Sequence, residues 1–150
     1  MSRKQSREVA FKLLFSLCFD SAGSCLEDVS EEKVDEKEQE YIDKLCAEVR
    51  ENLSSIDALI EKHAHGFSLD RIFKIDLTVL RMAIGEILYL KDITPAVVAV
   101  NEAVNIAKKY GTDKSGGWVN GILASVLKEN PSIKDEPPSM TRGVPRGWGV

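Results

Sequence analysis

Apolar residues return every three to four positions along most of this chain, and each stretch where they do so predicts a helix. Val9, Ala10, Leu13, Leu14 and Leu17, widened by Phe11, Phe15, Cys18 and Phe19, predict a first helix over residues 3–20. Its apolar stripe covers well over half the circumference, which implies a helix embedded among several others. Tyr41, Ile42, Leu45, Cys46 and Val49 give a second helix over 35–52. Ile56, Leu59 and Ile60 give a third, capped by Ser54 or Ser55 and ended at the His63–Gly66 corner. A short turn at Leu69–Ile72 precedes a long apolar helix over 76–91, carrying Leu77, Leu80, Ala83, Ile84, Ile87, Leu88 and Leu90. No strand is evident, so the expected fold is all-α, a compact bundle of about six to seven helices.

The last two predicted helices form a hairpin over Thr94–Leu127. Thr94 is expected to cap the first through its hydroxyl, with Pro95 at the first helical position, where its missing N–H costs nothing. Gly111 is expected to end it in the left-handed conformation, and Asp113 or Ser115 to cap the next. Ala96, Val100, Ala103, Val104 and Ala107 face one core; Val119, Ile122, Leu123, Val126 and Leu127 face another. Asn101-Glu102, Trp118 and Asn120-Gly121 remain. On a structural reading the asparagines satisfy buried backbone groups and Trp118 is core; on a functional reading they belong to a surface. Periodicity leaves both open.

Residues 130–150 hold four of the five prolines and no helical period, so the expected division is a helical domain over 1–129 and a tail over 130–150. The three cysteines, Cys18, Cys25 and Cys46, form no Cys-x-x-Cys pair and read as free thiols in a reducing cytoplasm. His63 and His65 point in different directions on a helix, which argues against a metal pair. No run of apolar residues is long enough to cross a membrane. Glu8, Lys12 and Ser16 interrupt the opening segment, which argues against an export signal.

Charge changes the picture more than composition does. The net charge is −4, yet Arg3, Lys4, Arg7 and Lys12 oppose only Glu8 at the start, while Glu27–Glu48 holds ten acidic residues against three lysines. A basic end on an acidic body suggests a localised anion-binding surface. Cations also sit poorly at the positive end of a helix dipole, which tilts the reading toward phosphate. Arg81 is expected to pair at the surface with Asp76 or Glu86. No glycine-rich phosphate loop, G-x-S-x-G, H-E-x-x-H or Cys/His constellation occurs, so no catalytic site, metal or cofactor is expected. Binding is the expected occupation.

The run AVNEAVNIAKKYGTDKSGGWVNGIL at residues 99–123 resembles the most distinctive segment of the NusB family, through Asn101, Glu102, Ala103, Ala107, Lys108, Tyr110, Gly111, Ser115, Val119, Asn120 and Gly121. The opening at Arg7–Phe15 and the helix at Ile75–Leu90 are similar to family segments too. The resemblance implies an all-helical fold in two subdomains. It also implies a transcription antitermination factor that binds boxA RNA of ribosomal RNA leaders together with NusE, a ribosomal protein, within the elongation complex. It assigns RNA contacts to Arg3, Lys4, Arg7, Lys114 and Trp118, where the family usually has Phe. It assigns NusE contacts to Phe15, Asp76 and Arg81, and a structural motif to Asn101, Glu102, Gly111, Ser115, Asn120 and Gly121. Gly116-Gly117 replace a stretch where the family commonly has a basic residue, implying weaker RNA affinity or more dependence on NusE. Alternatives are the NusB-like domain of a ribosomal RNA cytosine methyltransferase, or a self-associating homodimer with weak RNA binding.

Overall fold

The computed structural model describes residues 2–18 and 35–129. Its helices are α1 (Arg3–Phe15), α2 (Glu36–Glu51), α3 (Leu53–His63), α4 (Lys74–Tyr89), α5 (Ala96–Tyr110) and α6 (Ser115–Glu129). Short 3₁₀ turns follow α1 at Ser16–Cys18 and precede α4 at Leu69–Arg71. No strand occurs among the described residues, and the fold is all-α with six helices. Residues 19–34, which include Cys25 and the end of the expected first helix, and the 130–150 tail lie outside the described residues.

Helix α4 is the axis of the molecule. Every residue from Asp76 to Ile87 is buried, and α1, α2, α3, α5 and α6 all pack against it. A helix apolar on all sides has no face to give to solvent, so it goes to the centre. Gly85 lets α2 come close: a Cβ there would lie 2.6 Å from Val49 Cγ2. The helices start as their local sequences dictate in two cases. Ser2 and Gln5 form a reciprocal capping box on α1, and the Asp35 side chain accepts from the Glu38 amide on α2.

Several expected caps fall elsewhere. Thr94 does not cap α5; Pro95 takes that position, and the buried Thr94 hydroxyl donates instead to Glu86 Oε2 at 2.9 Å. A buried carboxylate is a stronger acceptor to satisfy than a helix start open to water. Gly111 is not left-handed: φ is −96° and ψ −154°. Its missing side chain is required by closeness, since a Cβ would come within 2.7 Å of the Ala107 carbonyl oxygen. Ser115 does not precede α6 but begins it, and its Oγ accepts from the Thr112 amide at 2.9 Å. The left-handed backbone lies instead at the α3–α4 corner, at His65 (φ 38°) and Gly66 (φ 93°).

Candidate nucleic-acid interface

Two of the cations expected to face outward are turned inward. Arg7 is buried, and its Nε and Nη2 reach Glu86 at 3.0 and 2.8 Å. Tyr41 Oη and Thr94 Oγ1 donate to the same carboxylate at 2.7 and 2.9 Å, so one group ties α1, α2, α4 and the start of α5 together. Burial opposes the Arg7 charge, but Glu86 outweighs it and holds its pKa above the ordinary value. Burial, aided by the Glu86 charge, pushes the Tyr41 phenol far up. Arg7 is therefore withdrawn from the exposed phosphate contacts, and Glu86 is a core anchor rather than a surface partner of Arg81.

Arg3 is partly committed as well. Its guanidinium bonds Glu38 at 2.8 and 3.2 Å, Ser6 Oγ adds a third bond to that carboxylate, and the charge lies 4.1 Å from the centre of the Tyr41 ring. The Arg3 hydrogen bond is the largest influence on Glu38 and holds its pKa below the usual carboxylate value. The dipole conflict that favoured phosphate is thus answered inside the protein for Arg3 and Arg7. The Arg3 side chain keeps 31% of its surface, and Lys4 is fully outward.

The structure gathers cations from three helices beside Lys4. Lys4, Glu8 and Lys12 follow one face of α1. Lys109 Nζ and Tyr110 Oη, from the end of α5, both reach Glu8 Oε1 at 2.8 Å. Burial alone would raise the Glu8 pKa; those two hydrogen bonds outweigh it and lower it. The Lys108 stem lies over Gly116, whose Cβ would meet Lys108 Cγ at 2.9 Å, and exposed Lys114 sits just before α6. Glu8 thus draws Lys109 of α5 onto the α1 face that carries Lys4 and Lys12. Sequence reasoning placed Lys12 in the basic start but missed Lys108 and Lys109 as members of this edge. The Lys-Lys-Tyr run closing α5 was the available signal.

Trp118 continues the edge. Half-buried in the first turns of α6, it meets Phe67 edge to face with ring centres 6.2 Å apart. These rings border a groove of about 350 Å³ between α6 and the α3–α4 corner, with Gly117 and Gly121 on the α6 side. At its far end His63 Nδ1 and Ser125 Oγ lie 2.7 Å apart. Ser125 is inside a helix, where backbone amides are already bonded and none is free to stabilise an oxyanion, so this pair is no nucleophilic centre.

The remaining predicted residues are dispersed. Asp76 and Arg81 are buried, not surface-facing. Arg81 grips Asp57 of α3 with two 2.9 Å bonds. Asp76 keeps Oδ1 without a partner; burial raises its pKa, against a smaller lowering from Ser115. Phe15 is half-buried and stacks on Phe11. Asn101 and Asn120 are exposed, so neither satisfies buried backbone, while Glu102 is half-buried. Among the described residues no three His, Cys, Asp or Glu groups could hold a metal, and no helix is long and apolar enough to cross a membrane.

An all-helical molecule whose exposed lysines adjoin an aromatic groove has the features of the nucleic-acid-binding class. The model of the NusB family matches residues 4–128. The chain is 40% identical to the transcription antitermination protein NusB of Natranaerobius thermophilus, over 86% of this chain and 96% of that one. It is 44% identical to the NusB of Ruminiclostridium cellulolyticum, over 85% and 90%. Among solved structures it is similar to T. maritima NusB, at 36% identity and a TM-score of 0.77, covering 96% and 99% of the two chains. It is also similar to a chain of a crystal structure of the antitermination factors NusB and NusE in complex with dsRNA, at 30% identity and a TM-score of 0.74, covering 85% and 96%. The chain belongs to the NusB family of transcription antitermination proteins. It is a factor and not an enzyme.

Proposed function

We propose that this protein binds single-stranded boxA-type RNA of ribosomal RNA leaders together with NusE, and that the edge formed by α1 and the α5–α6 joint is its RNA surface. The observation that carries this reading is a run of exposed lysines: Lys4 and Lys12 flank Glu8 on α1, Lys109 bonds that same carboxylate from α5, Lys108 lies over Gly116, and Lys114 precedes Trp118 by one helical turn. Lysines supply the phosphate attraction, the start of α6 adds the positive end of its dipole, and the half-buried Trp118 indole offers its outer face to an unpaired base. A solved complex of a NusB with NusE and RNA supports the choice of partners. Phe15 remains the candidate for NusE contact; buried Asp76 and Arg81 act on such a surface only by shaping α4. The cytoplasm is where these partners are found.

The test is binding of the full chain plus NusE to boxA RNA and to a scrambled RNA of equal length. Preference for boxA is the expected result, and equal affinity for both would sink the proposal. Size measurement with and without NusE checks the competing self-association: the expected outcome is a complex with NusE in place of any homodimer.

A further inference from the structure

We propose that the groove between α6 and the α3–α4 corner is a slot for one unpaired nucleobase, an inference that rests on RNA binding at the adjoining lysine edge. Its starting point is two glycines. Gly117 and Gly121 stand one turn apart on α6, both exposed, and a Cβ built on either meets nothing within 4 Å. Glycine is the poorest helix former after proline, and here no neighbour's closeness requires it. Gly116 and Gly111 are different, because side chains or backbone already fill the space beside them. What the absent side chains at 117 and 121 leave is the open groove itself.

The walls suit a flat ring. Trp118 and Phe67 stand at 81° to one another, so a ring laid along one aromatic face meets the other at its edge. Phe67 is 50% exposed, a large apolar surface held out at the corner by the left-handed backbone of His65 and Gly66. The His63–Ser125 pair at the far end and His65 at the rim supply hydrogen-bonding groups for the edge of a base. About 350 Å³ accommodates a ring system, whereas a partner helix needs a trough about 10 Å across. Continuity with the charged edge selects a base over other flat molecules. Trp118 follows Lys114 by four positions, so a backbone held by the lysines brings its bases to the groove mouth.

The experiment uses the full chain with NusE and a set of boxA RNAs, each carrying a single abasic nucleotide. One abasic position is expected to lower wild-type affinity about tenfold, the scale of losing one stacked base. Gly121→Leu, whose Cβ meets nothing within 4 Å and whose longer side chain enters the groove, is expected to lose about tenfold on intact RNA and to become indifferent to that abasic position. Its salt dependence should match wild type, because the lysines are untouched. Should Gly121→Leu lose helix content, Phe67→Ala at the exposed corner is read instead, with the same loss of sensitivity expected. A flat abasic series with normal wild-type binding overturns the slot alone. So does a filled groove that binds RNA normally, or one that weakens NusE capture in the absence of RNA, which makes the groove a protein site. Wild type failing to bind any boxA RNA overturns the RNA reading itself.

Discussion

Lys4 and Arg7 lie three residues apart on α1 and do opposite work. Lys4 is exposed and available to an anion; Arg7 is sealed against Glu86. Removing one partner of a buried ion pair strands the other, so Glu86→Ala should destabilise the protein by about 3–5 kcal/mol in denaturant unfolding. The double variant Arg7→Met/Glu86→Leu should recover part of that loss, because an apolar pair removes both charges together while the Tyr41 and Thr94 hydroxyls still lose their acceptor. Lesser destabilisation by Glu86→Ala than by the double variant would contradict the pairing. Trp118→Ala should weaken RNA binding by about 1–3 kcal/mol in a titration, while Trp118→Phe keeps a stacking face and most of the affinity. Equal losses in the two variants would deny Trp118 a stacking role. Cys46 should resist thiol reagents until unfolding, since burial pushes its pKa up to about 11.

At the level of elements, hydropathy was a good guide to helices and a poor one to charges. The apolar pattern of residues 76–91 marked a long helix there, and the six residues Leu90–Pro95 separate α4 from α5. What periodicity could not show was the destination of a polar group inside an apolar helix. Glu86, Arg81 and Asp76 all read as surface residues by local rules, yet all three are buried, and the partners of two come from distant segments, α1 for Glu86 and α3 for Arg81. The lysine edge was half legible: its α1 part stood out, but Lys108 and Lys109 join it only when the α5 C-terminus folds back on Glu8. The Phe67–Trp118 groove was not legible at all, since its walls come from residues 51 positions apart.

Asp76 offers a pH test of α4 packing. Its pKa is raised above the ordinary 3.8 by burial, so the folded state holds the proton more tightly than the unfolded chain does. Its ionisation therefore destabilises the fold progressively as pH rises past about 3.8, and the cost levels off above the folded pKa. Asp76→Asn should melt higher than wild type at pH 7, because it removes a buried charge that the fold disfavours. The gap should close as pH falls below about 4, where wild type carries the proton in both states. A gap that widens on acidification would mean that Asp76 is stabilised as a carboxylate.

For the whole molecule, the distribution of charge matters more than its sum. On a chain of net charge −4, an anionic polymer needs a local basic patch, which the proposed RNA surface draws from the exposed lysines of α1, the end of α5 and Lys114. The buried pairs of Arg7 and Arg81 brace α4 against its neighbours and leave the lysines to meet RNA. The most direct measurement is the salt dependence of boxA binding, with NusE present, for wild type and for Lys4→Ala/Lys114→Ala. If both lysines contact phosphate, the slope of log affinity against log salt should fall by about 1.4, or about 0.7 for each contact to a single strand. An unchanged slope would place the RNA on another face of the protein and contradict the account.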